Sequence, residues 1–205
     1  KPQPSSKCAR GDVGARVMQI KNVLGLGREQ TPLTITTGGG PLLETDLSRM
    51  LQACTPKTPS RVLEAGVDFR IMWTKEEGFG LCALHNLEHN TRLLYGGQHV
   101  HDGDPMLQEQ PTHVASLRNG NSILGFKILH TIPGNEETCQ LLTEYFWLTR
   151  CNALGSLLNS FRNNGDVTWK TLIGQDVLKG CLGLLVRTKG VPKDKQIYWD
   201  YPTCF

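Results

Sequence analysis

The chain has 205 residues, of which 39% are apolar and 20% charged, with a formal net charge of +3. That length allows one domain with a sizeable core. The composition excludes wholesale disorder, a collagen-like chain or a coiled coil, and no apolar run reaches the roughly 18 residues of a membrane span.

The first 12 residues, KPQPSSKCARGD, are polar and rich in Pro and Ser. They read as an extended arm, leaving residues 13–205 as a single globular domain. Residues 13–24 are moderately apolar and suit a strand or a short helix. Thr45 or Asp46 can cap a helix over about 46–54 that carries Leu47, Met50 and Leu51 on one face. In residues 61–73, Val67, Phe69, Ile71 and Trp73 alternate as a strand does. Asn119-Gly120, inside Arg118-Asn119-Gly120-Asn121, lies between two β-favouring runs and predicts a hairpin over 112–132. After Pro133-Gly134-Asn135, the apolar spacing predicts one long helix over about 136–162, with Leu142, Phe146 and Leu157 buried. A short strand at Ile197-Tyr198-Trp199 follows a second apolar block at 176–187. Hairpins followed by one long helix predict an α+β fold, an antiparallel sheet packed on that helix.

Charge is unevenly spread. Residues 1–40 carry six Lys/Arg against two acids, residues 81–137 three against six, and residues 138–205 eight against five. The acidic centre also holds all six histidines, five of them within 29 residues. An acidic, imidazole-rich stretch suits a cation. On a helix, His85 and His89 lie four residues apart and project from one face, so both can reach one metal ion. Glu88 stands beside them as a base for a metal-bound water. His99, His101 and Asp102, with Asp104, offer further ligands. The expected cofactor is zinc, which imidazole suits. No nucleotide cofactor is indicated, since Gly25-Leu26-Gly27 and Gly38-Gly39-Gly40 lack the remainder of a phosphate loop. Gly80-Leu81 with His85-Asn86-Leu87-Glu88-His89 resembles the zinc helix of the inverted-motif metallopeptidases of the pitrilysin type. That resemblance implies His85 and His89 as ligands, Glu88 as general base, and a peptide or protein substrate.

Two thiol readings stand beside it. Cys82 follows a Gly-rich segment where a helix N-terminus would activate it. Leu81-Cys82-Ala83 with His85 resembles the nucleophile segment of Josephin-type papain-fold deubiquitinases, which implies Cys82 as nucleophile and His113 as base. Gly180-Cys181-Leu182-Gly183 resembles the G-x-C-G turn of viral chymotrypsin-like cysteine proteases, with His85 and Asp102 or Asp104 completing the set. A further alternative is a non-enzymatic interaction domain that binds RNA or a protein partner. There Lys189, Lys193 and Lys195 would contact phosphates while Tyr198 and Trp199 stack on bases. The seven cysteines are widely spaced, without a CxxC pair, which fits free thiols in a reducing, intracellular compartment. The absence of a signal-peptide core and of a glycosylation sequon fits the same compartment, and the absence of an initiator Met fits either a chain processed from a longer precursor or an excised domain.

Overall fold

A computed structural model describes residues 10–26, 36–37, 40–41, 63–89, 91–109, 113–116, 120–128, 130–149, 154–160, 165–170 and 181–199. The fold is α+β, mixing helices with a large, mainly antiparallel sheet. Helix α1 spans Arg10–Leu24, so the expected arm already turns helical at Arg10; residues 1–9 lie outside the described residues, as does the helix expected over 46–54. A two-stranded ribbon pairs β1 (Thr36–Thr37) with β2 (Gly40–Pro41). Next come β3 (Phe69–Thr74), β4 (Gly78–Ala83) and the ten-residue β5 (Arg92–His101). The short helix α2 (Pro105–Glu109) precedes β6 (Val114–Ser116) and β7 (Asn121–Gly125). Helix α3 (Glu136–Leu148) is followed by a 3-10 turn at Gly155–Leu157 and by β8 (Asn159–Ser160). Strands β9 (Val167–Lys170), β10 (Cys181–Val186) and β11 (Gln196–Trp199) complete the chain.

The main sheet runs in the order β3-β4-β11-β9-β10-β5-β7-β6, and β8 pairs in parallel with β11. The Asn-Gly signal is realised: β6 and β7 form an antiparallel hairpin with Ser116 opposite Ser122, and Gly120 takes φ 79°. That left-handed backbone suits a glycine, which has no Cβ to clash. The 61–73 run becomes β3 from Phe69 onward, with Val67 exposed in the turn before it.

The helix expected over 136–162 is half that length. Asn135 caps α3, its side chain accepting from the Thr138 amide at 2.8 Å, and Glu136 and Glu137 occupy the first turn, where the helix dipole favours acids. At the other end, the Thr149 hydroxyl donates to the carbonyl of Tyr145 at 2.8 Å. The apolar residues Leu154, Leu157 and Leu158 are buried as expected, but from the 3-10 turn and its flanks. Periodicity alone did not separate a helix from a buried turn that continues its apolar face. Leu142 and Phe146 are fully buried, and Phe146 meets Phe126 edge-on at 5.1 Å between centroids. This contact fastens α3 to the chain leaving the hairpin. None of the described helices is long and apolar enough to cross a membrane.

Candidate functional site

The His-rich segment does not form a helix. Gly78–Ala83 is strand β4, residues 84–89 form an irregular link carrying a bridge between Leu87 and Val191, and β5 begins at Arg92. Backbone pairing of Leu87 with Val191, at 2.8 and 3.0 Å, ties this link to the loop before β11. Without the helix, the i, i+4 argument that put His85 and His89 on one face no longer holds. His85 turns back to the fully buried carboxylate of Asp68, its Nε2 2.7 Å from Oδ1. The second Asp68 oxygen accepts the Glu64 amide at 2.8 Å. His89 instead places Nδ1 3.1 Å from the Val186 carbonyl at the end of β10. Glu88 is exposed, and its main-chain oxygen accepts the hydroxyl and the amide of Thr91.

The remaining metal candidates lie elsewhere. His99 and His101 belong to β5, in register with Ile123 and Asn121 of β7. Asp102 lies in the exposed turn after them, and Asp104 accepts the Met106 amide at 2.9 Å, which opens α2. Among the described residues, no group of three His, Cys, Asp or Glu side chains is arranged to hold a metal ion.

The thiol candidates fare similarly. Cys82 sits inside β4, opposite Arg70 and Gln196 rather than at a helix start. It is buried, and burial pushes its thiol pKa up, away from the thiolate a nucleophile needs. Cys181–Gly183 lies within β10 and pairs with β5 and β9, so it is strand rather than a catalytic turn. Of the basic-aromatic set, Trp199 is core, packed 5.6 Å from Tyr95. The Tyr198 hydroxyl donates to Glu77 at 3.0 Å, and Lys189 pairs with Asp166 at 3.1 Å, while Lys193 and Lys195 stand exposed on the loop before β11. These five residues therefore do not share one stacking face.

The structure gathers a different set of groups. A cleft of about 550 Å³ lies between the tip of the β3–β4 hairpin, the segment leading into α3, and the 3-10 turn with β8. Its walls are largely apolar: Trp73, Phe79, Ile128, Ile132, Leu157 and Leu158. The polar groups are few: Glu77, His113, His130, Ser156 and Asn159. Concave, mainly apolar sites with a handful of polar groups are the usual form of a small-molecule site.

Close packing shapes this cleft. Trp73 is seated on Gly134, which leaves no room for a Cβ there. Gly125 is likewise closed off by Ser156, whose hydroxyl donates to the Phe126 carbonyl at 3.0 Å. Around Gly80 the approach is polar: a Cβ would lie 2.8 Å from Gln196 Nε2 and 2.9 Å from Asn159 Nδ2. Both amide nitrogens are buried and have no hydrogen-bond partner among the described residues. A buried amide without a partner costs free energy, typically about 1–3 kcal/mol.

His113 is the one sequence candidate found in the cleft. It adopts φ 61°, a left-handed backbone uncommon outside glycine, and is held there as its carbonyl accepts the Gly125 amide at 2.8 Å. Burial lowers its pKa, and Lys127 and His130 add to the effect, so the imidazole is neutral at pH 7. Sequence reading passed over Trp73 and Asn159 as cleft residues, and Gln196 as the buried amide beside Asn159. One usable signal was Gly78-Phe79-Gly80: glycine within a strand marks a close approach of other groups.

No family model matches the chain, and no curated protein matches it. Among solved structures it is similar to CpSET8 from Cryptosporidium, with 11% identity and a TM-score of 0.44, over 99% of this chain and 84% of that one. A likeness at that level assigns no activity.

Proposed function

We propose that this chain binds a small organic ligand in the cleft beside the β3–β4 hairpin, a ligand with an apolar body and a hydrogen-bond acceptor such as a carbonyl or carboxylate. The observation that carries the reading is the pair of buried amide nitrogens of Asn159 and Gln196, which converge on Gly80 without a partner among the described residues. Asn159 also lines the cleft, so an acceptor seated at the cleft floor would satisfy its donor. The cleft's volume falls within the few hundred to 1,000 Å³ typical of such sites. Neutral His113 supplies a group able to take a proton from a bound ligand.

A thermal-shift panel of amino acids, nucleosides and aliphatic and aromatic carboxylates tests this. A true ligand at about 100 times its Kd stabilises the fold by about 2.7 kcal/mol. The shift should vanish in Asn159→Leu, which removes the donor and fills the floor. A panel without any shift, or a shift unchanged in Asn159→Leu, overturns the reading.

The zinc-hydrolase reading is a competing proposal whose helix is missing, so His85 and His89 lack their common face. Stoichiometric zinc, with chelator-sensitive hydrolysis lost in His89→Ala, would restore it. A cysteine hydrolase through Cys82 needs that thiol to alkylate first among the seven in native protein. Its burial predicts protection until unfolding, read by mass-mapped iodoacetamide labelling.

A further inference from the structure

One wall of the cleft gathers groups of a single charge sign. The chain enters β6 at His113 and leaves β7 through Phe126, Lys127 and Ile128 to reach His130. The two stretches are tied where the His113 carbonyl accepts the Gly125 amide at 2.8 Å, one step beyond the pairing of Val114 with Leu124. His113 is thus held across from a residue that lies two before Lys127. His113, Ile128 and His130 line the cleft together. His113 takes its place there at φ 61°. A non-glycine residue persists in that conformation only where its surroundings fix it, and such residues gather at ligand sites.

The charges that act on His113 are Lys127 and His130, and both oppose its protonation. Lys127 is half-buried and forms no ion pair with an acid among the described residues. One carboxylate lines the cleft, that of Glu77. It is exposed at the tip of the β3–β4 hairpin, where it accepts the Tyr198 hydroxyl at 3.0 Å, and it is not among the charges that act on His113. The wall formed by His113, Lys127 and His130 therefore lacks an anion of its own among the described residues.

We infer that the ligand of this cleft is an organic acid whose carboxylate seats against His113, Lys127 and His130, and that it enters together with one proton. The inference rests on the cleft being a ligand site and adds the ligand's charge and its linkage to pH. In the free protein, burial and the neighbouring cations keep the imidazole neutral at pH 7. A carboxylate placed beside it reverses that balance. It offsets the Lys127 ammonium and favours the charged imidazole, which then donates a charge-assisted hydrogen bond about twice as strong as a neutral one. The proton comes from solvent and stays on the imidazole, so no covalent bond of the ligand changes. The apolar walls cover the ligand's body, and the Asn159 amide serves a neutral acceptor elsewhere on it.

The test is calorimetric titration of the full chain with two pairs of probes, phenylacetate against phenylacetamide and indole-3-acetate against indole-3-acetamide, at about pH 7.5 and pH 5.5. Each pair shares a body and differs in charge. An acid should bind up to about tenfold more tightly for each pH unit lowered, the limit for uptake of one proton, while its amide binds equally at both pH values. His113→Asn, a side chain that tolerates the left-handed backbone, should abolish this pH dependence. Lys127→Met should weaken the acids about tenfold and leave the amides unchanged. Amides that bind as tightly as the acids at both pH values overturn the inference while leaving the cleft a ligand site. So does a pH dependence that survives His113→Asn, or an affinity for the acids that Lys127→Met does not change. Failure of all four probes to bind overturns the inference and the cleft reading together.

Discussion

The cleft and a second, larger concavity, a groove of about 1000 Å³ between β3 and α3, meet at Trp73, which forms a wall of each, yet they differ in chemistry. In the cleft the polar groups are inside: the Asn159 amide and the His113 imidazole lie among apolar walls. In the groove the polar groups ring the rim, and the floor is Ile71 and Cys139, both buried. Internal donors recognise the polar atoms of a small ligand; an apolar floor with a charged rim recognises a surface. The difference follows from backbone placement. Glycines 80, 125 and 134 let side chains crowd the cleft, whereas a helix and a strand edge set side by side leave a long, shallow trough.

The largest expected effect removes what both sites rest on. Phe146 is fully buried and joins α3 to Phe126, two residues before the cleft residue Ile128. Phe146→Ala should cost about 3–5 kcal/mol in denaturant unfolding. Ligand binding in the cleft should then be lost at temperatures where the wild type is folded. A change well under 1 kcal/mol would show that α3 does not carry this core.

Local signals were legible where one rule acts alone. Asn119-Gly120 set a hairpin, Asn135 with Glu136 and Glu137 set a helix start, and Leu142 and Phe146 were placed in the core, all from neighbours in sequence. The helix expected to carry His85 and His89 is absent because Gly78–Ala83 fits either a Gly-led helix or a strand. Pairing with its hairpin neighbour β3 on one side and with β11, more than 110 residues on, on the other decides for the strand. Once β4 is a strand, the link after it is short, and His85 finds Asp68 while His89 finds Val186. The cleft was illegible for a related reason. Trp73, His113 and Asn159 are widely separated in sequence, and only the fold brings their elements together.

A smaller change sharpens the contrast between the two sites. Gly134→Ala forces a Cβ into the Trp73 indole. Overpacking of this kind costs about 1–3 kcal/mol, and moving Trp73 should weaken ligand binding in the cleft. Gly66→Ala is the counterpart. Its φ of +77° strains any side chain there, and it touches only the Trp147 end. The fold should lose stability while the thermal shift from a cleft ligand stays intact. Loss of that shift in Gly66→Ala would mean that the Trp147 end of the groove is not separate from the cleft.

The next effect belongs to the cleft alone and is read from pH. The His113 pKa lies below its ordinary value near 6.5, through burial first and then Lys127 and His130. Between those two values the unfolded chain binds the proton and the folded chain does not, so stability falls as pH drops through that window. His113→Gln should flatten this part of the stability profile, measured by denaturant unfolding across pH 5–8. A profile unchanged by the substitution would mean that His113 is not held neutral in the cleft.

The smallest effect lies at the groove's rim. Arg16 of α1 makes two hydrogen bonds to Glu144 of α3, at 2.8 and 2.7 Å, and both side chains are more than one-third exposed. The Arg16 hydrogen bond holds the Glu144 carboxyl below its ordinary value near 4.5. The folded chain thus binds this proton less readily than the unfolded chain. The pair's contribution is present above the ordinary carboxylate value and is lost as pH falls through the folded one. Exposed pairs are screened by water and salt. Glu144→Gln should therefore shift the melting temperature only slightly at pH 7 and low salt, and not at all at high salt or at strongly acid pH. Ligand binding in the cleft, on the far side of Trp73, should be untouched; a change there would join the two sites that the geometry keeps apart.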